Sequence, residues 1–123
     1  MALRRRTERL NSLLKEVISD VVRNKVKNPE LKKEFLSITK VEITKDLRQA
    51  KVYFSIIGDE EEKNKSLSIL QSAAGFISLT ASKMVVMHHF PTLAFKIDDT
   101  VEKHMRVNEA LKKIQEERQS RKL

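Results

Sequence analysis

The feature that most constrains the fold is an apolar stripe with helical spacing in residues 63–88, which passes through a glycine without losing its phase. A loop at Gly75 would normally shift that phase. Glycine costs about 1 kcal/mol in a helix interior and permits a local bend. The pattern therefore predicts two helices that meet at a kink, and one straight helix that tolerates Gly75 is the alternative. The stripe consists of Leu67, Leu70, Ala74, Ile77, Ala81 and Met84.

Residues 8–27 carry the other clear helical pattern. Apolar side chains recur along one face, whereas the basic residues fall mostly off it. Asn28-Pro29 is expected to end this helix, because the residue before a proline is disfavoured in the α region. The stripe consists of Leu10, Leu13, Leu14, Val17, Ile18, Val21, Val22 and Val26.

Three segments show the period of two that is typical of strands. Residues 38–44 and 50–57 are separated by a turn at 45–48 and predict a hairpin, and residues 92–97 predict a third strand after Pro91. Tyr53 and the five phenylalanines are expected mainly at core-facing positions. This placement argues against an aromatic platform for single-stranded RNA.

Charged segments flank the later helices. The acidic run at 59–62 is expected to precede a helix N-terminus, where carboxylates complement the helix dipole. Asp99 and Glu102 have the spacing of a capping box and predict a helix over 100–117. The end of the chain is charged and nearly free of apolar residues. We therefore predict one domain at 1–114 and a basic, flexible C-terminal tail at 115–123.

The order of these elements predicts an α+β domain with two layers. A helix, two strands, a helix, a kinked helix and a third strand follow one another, so the helices can pack on one face of a three-stranded sheet. A chain of 123 residues can form a stable core without disulfides, and this chain has no cysteine.

The excess positive charge lies at the two ends of the chain, whose formal net charge is +8. Residues 1–33 carry ten Lys/Arg and four Asp/Glu, residues 103–123 carry seven and three, and residues 34–102 carry eight and ten. Lysines and arginines that pair with phosphates release condensed counterions, so this distribution favours a nucleic-acid partner. Solubility alone is the simpler interpretation of the same charge.

The sequence contains no constellation of residues that enzyme chemistry requires. Adjacent His88 and His89 cannot both reach one metal ion from a regular helix, and no carboxylate is spaced to complete a site with His104. Ser78, Ser82 and His88 lack an orienting carboxylate and an oxyanion loop. The two glycines do not form a phosphate-binding loop. We therefore expect no catalysis, no metal and no cofactor.

Targeting segments are not evident either. No run approaches the roughly 18 apolar residues of a membrane helix, and no uninterrupted apolar stretch follows the arginines at 4–6. We therefore expect a cytoplasmic monomer with neither a membrane partner nor a small-molecule substrate.

A series of short motifs extends in unbroken order over about residues 5–114. It comprises Arg9-Leu10, Val26-Lys27-Asn28-Pro29-Glu30-Leu31, the stretches 38–47 and 50–53, Leu70-Gln71-Ser72-Ala73-Ala74-Gly75-Phe76-Ile77, Pro91-Thr92-Leu93-Ala94-Phe95, Asp98 and Met105-Arg106. Together these motifs resemble the ribosome-binding factor A family, and the segment 70–77 is similar to the strongest signature of that family.

The resemblance implies a type II KH-like fold in which Ala-x-Gly, here Ala73 and Gly75, replaces the usual Gly-x-x-Gly loop. It implies a bacterial assembly factor that associates with free small ribosomal subunits. Such a factor supports late maturation of small-subunit ribosomal RNA, including rRNA processing at the 5′ end, notably in cold adaptation. The family has no known catalytic residues and no cofactor. Ser78 and His88 stand where the family commonly has arginine, which reduces the expected positive charge after the kink.

The candidate RNA-binding residues are basic side chains near the two ends of the chain and around the kink. Contact is expected with phosphates and 2′-hydroxyls of precursor ribosomal RNA, because few aromatic side chains are free for base stacking. The arginines at 4–9 form the densest cluster, although a solvated end explains them equally. The candidates are Arg4, Arg5, Arg6, Arg9, Arg23, Lys25, Lys27, Lys83, His88, Arg106, Lys112 and Lys113, with Ala73, Ala74 and Gly75 at the helix kink.

A protein-interaction adaptor that docks through its amphipathic helices is the alternative from another functional class. A DNA-binding protein ranks below it, because no recognition-helix pattern is evident. Salt separates the first two hypotheses, since phosphate binding weakens steeply with salt whereas apolar docking does not.

Overall fold

The computed structural model describes the backbone of residues 2–100 and the side chains of residues 5–100. The predicted tail, nearly all of the predicted helix over 100–117, and the candidates Arg106, Lys112 and Lys113 lie outside this range. The elements are α1 (Ala2–Asn24), a 3-10 turn (Lys33–Phe35), β1 (Leu36–Ile43), β2 (Gln49–Ile56), α2 (Glu60–Ser72), α3 (Ala74–Ser82) and β3 (Thr92–Ile97).

Helix α1 begins earlier and ends earlier than the predicted helix over 8–27. Its first turns have no apolar stripe that would reveal them in the sequence, but they are rich in arginine, which is a good helix former. At its end, the amide of Val26 donates to the carbonyl of Val21 at 3.2 Å, one residue beyond the regular α-helical pairing. The Lys33 ammonium donates to the carbonyl of Arg23 at 3.1 Å. These contacts close the helix before Asn28-Pro29 is reached.

The three strands form one sheet in the order β1-β2-β3, with β2 in the centre. Strand β2 is antiparallel to β1 and parallel to β3. A parallel neighbour requires a crossover connection, and α2 and α3 supply it. The predicted α+β architecture, with its helix-strand-strand-helix-helix-strand order, is confirmed as a type II KH-like arrangement.

The core lies between the sheet and the helices. Ala50, Val52 and Phe54 of β2 are fully buried, as are Ile18 of α1 and Ile77 of α3. The intervening β2 residues point away from the helices. Tyr53 is among them and is half-buried on the open face. The expectation of a core-facing position is therefore wrong for Tyr53, because Val52 and Phe54 already take the core side of the strand.

The acidic run has the predicted place at the start of a helix. Asp59 is the N-cap of α2, and its carboxylate accepts a hydrogen bond from the amide of Glu62 at 2.8 Å. Residues 60–62 fill the first turn with carboxylates, which complement the helix dipole. Just after β3, which is parallel to β2, the Asp98 carboxylate accepts from the amide of Thr100 at 3.0 Å. Glu102 of the predicted capping box lies outside the described residues.

Candidate nucleic-acid interface

The helix is interrupted at Ala73, between α2 and α3. This residue has φ −89° and ψ 0°, and it separates Ser72, the last residue of α2, from Ala74, the first residue of α3. One straight helix is thereby excluded. Gly75 lies in the first turn of α3 without a positive φ, and a Cβ added there would meet no atom within 4 Å. The break therefore does not depend on the backbone freedom of Gly75.

Helix α3 ends at Ser82, six residues before the predicted end of the pattern at 88. The amides of Lys83 and Met84 donate to the carbonyls of Thr80 and Ala81, which is the tighter pairing of a terminal turn. Met84 is 48% exposed and does not join the buried stripe. Periodicity alone overextended the helix, because Met84 happens to continue the spacing.

A cleft at the helix break brings together two groups of candidates that are far apart in the sequence. We call it the kink cleft, and it has a volume of about 450 Å³. Lys25 and Lys27, just after α1, form one side, and the end of α2 and the start of α3 form the other. Its lining residues are Lys25, Val26, Lys27, Asn28, Ser68, Ile69, Ser72, Ala73 and Phe76.

The electrostatics of the kink cleft favour an anion. Both lysines are exposed, and no carboxylate is among the lining residues. Ala73 has no side-chain group to cap α3, so the N-terminal amides of that helix and the positive end of its dipole face the break without a side-chain partner from the cap. Phe76 is 51% exposed beside them. A phosphate could bind there, with a base or sugar against the phenyl ring.

The other candidates on α1 differ in their surroundings. Arg5, Arg6 and Arg9 are exposed near its N-terminus, whereas the Arg4 side chain lies outside the described residues. Arg23 lies on a shallow surface that it shares with Lys15, Glu16 and Asp20. Acidic residues therefore balance the basic ones along the middle of α1. Positive charge is in excess near the N-terminus of the helix and at the two lysines that follow it.

The remaining described candidates lie apart from the kink cleft. Lys83 is exposed at the C-cap of α3. His88 lines a second concavity, which we call the turn groove, between the β1–β2 turn, α1 and the loop that precedes β3. The residues that line the turn groove are Leu10, Asp46, Leu47, Arg48, Met87, His88 and His89.

The sequence analysis placed Leu47 and Arg48 in a turn but did not include them, or Phe76, among the binding candidates. Phe76 was grouped with the aromatic residues that were expected mainly at core-facing positions, but Ile77 takes the core-facing position and is fully buried. Leu47 has φ 61°, and no sequence signal marks this conformation because glycine or asparagine normally occupies it. A leucine in this region costs about 1–2 kcal/mol.

Within residues 2–100, no three His, Asp or Glu side chains are grouped so that they could hold a metal ion. Over the same residues, no helix combines the length and the apolar composition needed to cross a lipid bilayer.

Comparisons with known proteins place the chain among its relatives. The family model for ribosome-binding factor A matches residues 6–111. Ribosome-binding factor A of Protochlamydia amoebophila is 57% identical over 116 residues, which cover 94% of this chain and 88% of the relative. That of Halothermothrix orenii is 41% identical, over 95% of this chain and 94% of the relative.

A solved structure and a fitted homology model share the architecture. An NMR structure of a Thermotoga maritima protein assigned to ribosome-binding factor A is 31% identical with a TM-score of 0.68, over 74% of this chain and 85% of that protein. A homology model of the Thermus thermophilus factor, fitted into a cryo-EM map of a 30S complex, is 22% identical with a TM-score of 0.60, over 72% of this chain and 91% of that one. The match to the family model spans most of the described fold, from the first turns of α1 through the helix break to β3. The chain belongs to the ribosome-binding factor A family.

Proposed function

We propose that this protein binds ribosomal RNA on the immature small ribosomal subunit and assists its late maturation, including processing of the 5′ end of the small-subunit rRNA. It acts by occupying or distorting an RNA site and leaves when maturation is complete, without catalysis and without a cofactor. It works as a monomer in the bacterial cytoplasm and is needed most in the cold. Family membership and the net charge of +8 support this function. The Thermus relative in its 30S complex also supports it.

The observation that carries the proposal is the kink cleft. Lys25 and Lys27, just after α1, and the start of α3, which has no side-chain cap, line one surface whose charge favours an anion, although nearly fifty residues separate Lys25 from Ala73 in the sequence. A phosphate of the RNA backbone fits this chemistry, and the exposed ring of Phe76 provides an apolar contact next to it. The lysines of this surface make up for the two arginines that the family commonly has and that this chain replaces, by Ser78 on α3 and by His88 in the loop before β3.

The other candidates extend the contact area. Arg4, Arg5, Arg6 and Arg9 form a basic N-terminal stretch of α1, Arg23 and Lys83 add separate cations, and His88 adds a hydrogen-bonding ring. Arg106, Lys112 and Lys113 remain part of the proposal, as does the assignment of residues 1–114 to the RNA-binding domain. None of these side chains has to act on bases, because the proposed recognition is of phosphates and shape.

A protein-docking role is the second candidate, and one observation favours it. Helix α3 contains no charged residue, and Leu79 is 62% exposed on it, followed by exposed Met84 and Val86. Apolar side chains exposed in this number commonly mark an interaction site. Binding through this surface would change little with salt, whereas binding through the kink cleft would weaken steeply.

The test of the proposed function is cosedimentation with purified free small subunits over a range of salt concentrations. In the double variant Lys25→Gln/Lys27→Gln we expect weaker binding and a shallower slope of log affinity against log salt, by about 1 for each lost lysine–phosphate contact. The matched control is Lys51→Gln/Lys96→Gln, which removes two exposed lysines from the open face of the sheet. Equal affinity and equal slope for both double variants and the unmodified protein would overturn the role of the kink cleft. A protein that stays unbound at low salt would overturn RNA binding as a whole.

A further inference from the structure

The turn groove lies apart from the kink cleft and has a volume of about 630 Å³. Its floor is formed by Leu10 and Met87, which are partly buried and pack against the core. Its walls are the exposed side chains of the β1–β2 turn on one side and of the loop before β3 on the other. Three separate segments therefore build it, and of its lining residues the proposed function uses only His88.

Leu47 gives the groove a feature that packing does not explain. Its φ of 61° places a leucine in a conformation that L side chains rarely adopt. The surrounding turn is held by other groups, because the amide of Leu47 donates to the carbonyl of Thr44 at 2.9 Å and the Asp46 carboxylate accepts from the Thr44 hydroxyl at 2.6 Å. The leucine side chain is nevertheless 43% exposed. The hairpin turn sets this backbone conformation, which glycine or asparagine would adopt without strain, so the exposed leucine side chain is the feature left to explain.

The chemistry of the lining selects the class of ligand. The floor and Leu47 are apolar, and the walls carry the Arg48 guanidinium and the rings of His88 and His89, whose centroids are 5.1 Å apart in an edge-to-face contact. Asp46 is the carboxylate among the lining residues, and its Oδ1 already accepts from the Thr44 hydroxyl and the Arg48 amide. A ligand with a flat apolar part and a phosphate complements this arrangement.

We propose that the turn groove binds one unpaired nucleotide of small-subunit ribosomal RNA, with the base against Leu47 and Met87 and a phosphate beside Arg48 and the two histidines. The inference rests on the proposed function, which it extends by a second RNA contact. Leu10 is about 21 Å from the end of α1, at 1.5 Å per residue, so one RNA phosphate cannot bind the kink cleft and the turn groove together. The protein then holds two RNA segments at a fixed separation.

Leu47→Gly tests the proposal, because glycine adopts the φ of 61° freely and removes the side chain at the same time. We expect the urea midpoint to stay equal or to rise, and the affinity for free small subunits to fall about tenfold, as for the loss of one base contact. Ile57→Gly is the control, since Ile57 is 76% exposed at the opposite end of β2. Arg48→Gln should weaken binding and flatten its salt dependence, whereas Lys45→Gln on the same turn, outside the lining, should not.

A second measurement identifies the occupant. Single-stranded RNA of about ten nucleotides that carries 4-thiouridine is crosslinked to the protein by light, and we expect the crosslinked peptide to contain residues 47 or 87–89. The turn-groove proposal would be overturned if Leu47→Gly bound small subunits as well as the unmodified protein while Lys25→Gln/Lys27→Gln bound them more weakly. The proposed function would then remain intact. A photoreactive side chain at position 47 that crosslinks to a ribosomal protein instead of RNA would also overturn it.

Discussion

Adjacent residues of the central strand β2 lie on opposite faces of the sheet, and the two faces differ in burial and polarity. On the helix side, Val52 and Phe54 are fully buried in an apolar layer. On the open side, Lys51, Tyr53 and Ser55 are exposed or half-buried. The alternation of side chains along a strand allows this contrast within one segment. Stability is therefore concentrated on one face, and charged groups that respond to pH and salt occupy the other.

The open face carries polar contacts within β1 and between β1 and β2. The ammonium of Lys40 on β1 pairs with the Glu42 carboxylate and lies 5.9 Å from the centroid of the Tyr53 ring. The hydrogen bond from the Lys40 ammonium to the Glu42 carboxylate lowers the pKa of Glu42 and raises the pKa of Lys40. Exposed ion pairs of this kind contribute little to stability. The face is thus free of the packing constraints that fix the helix side.

The largest effect is expected when the two faces are compared directly by Phe54→Ala and Tyr53→Ala. Phe54→Ala should lower the free energy of unfolding by about 3–5 kcal/mol, because it leaves a cavity in the core. Tyr53→Ala should cost about 1 kcal/mol or less, as for the loss of a cross-strand pair. Urea unfolding at neutral pH measures both.

If Phe54→Ala does not fold, the matched pair Phe54→Leu and Tyr53→Leu keeps the comparison. Phe54→Leu still leaves a smaller cavity in the core and should cost about 1–2 kcal/mol, whereas Tyr53→Leu should cost about 0.5 kcal/mol or less. Equal losses for Tyr53→Ala and Phe54→Ala would mean that something covers the open face as tightly as the helices cover the other. The division between a stabilising face and a responsive face would then be wrong.

A smaller effect, which depends on pH, is expected from Thr39→Val. Thr39 lies at the register shift in β1, and its hydroxyl donates to the Asp98 carboxylate at 2.6 Å. This bond is the main cause that lowers the pKa of Asp98. The stabilisation is present above the ordinary carboxylate range near pH 3.9 and is lost as the pH falls through the lower pKa of the folded state.

Thr39→Val should therefore cost about 1–2 kcal/mol at pH 7, and the loss should shrink progressively as the pH approaches 2. The measurement is urea unfolding at a series of pH values. Thr92→Val is the control, since Thr92 is an exposed strand residue on β3. If Thr39→Val lowered the free energy of unfolding equally at pH 7 and pH 2, the stabilisation by Thr39 would not depend on the ionised carboxylate of Asp98.

The sequence predicted what local spacing can encode. The period of two revealed all three strands, and the stripe through residues 63–88 revealed the two helices of the crossover, since both patterns follow from which side of an element is buried. Tyr53 was misplaced because its aromatic character was weighted above its position in the alternation. The first turns of α1 were not predicted, because their arginines do not form an apolar stripe.

The candidate site could be predicted only in pieces. Lys25, Lys27 and the helix break were each found separately, but their meeting in the kink cleft depends on how α1 packs against α2 and α3. The turn groove was not predicted, because its lining comes from three segments and its strained residue is a leucine. Residue type and spacing do not report a positive φ at such a residue or the proximity of distant segments.

The smallest predicted change concerns Gly75, and it separates stability from binding within the helical layer. Because Gly75 is helical and an added Cβ would meet no atom within 4 Å, Gly75→Ala should stabilise the fold by about 0.5–1 kcal/mol through helix propensity. Gly75 lines a neighbouring groove together with Ala74, Ser78 and Leu79 and is not among the residues that line the kink cleft. Affinity for free small subunits should therefore stay unchanged while the urea midpoint rises at unchanged slope. Lys25→Gln/Lys27→Gln, in the kink cleft itself, should show the reverse, a lower affinity at an unchanged midpoint. A lower midpoint for Gly75→Ala would instead mean that the break strains position 75, and a lower affinity would mean that the RNA contact extends beyond the kink cleft onto this side of α3.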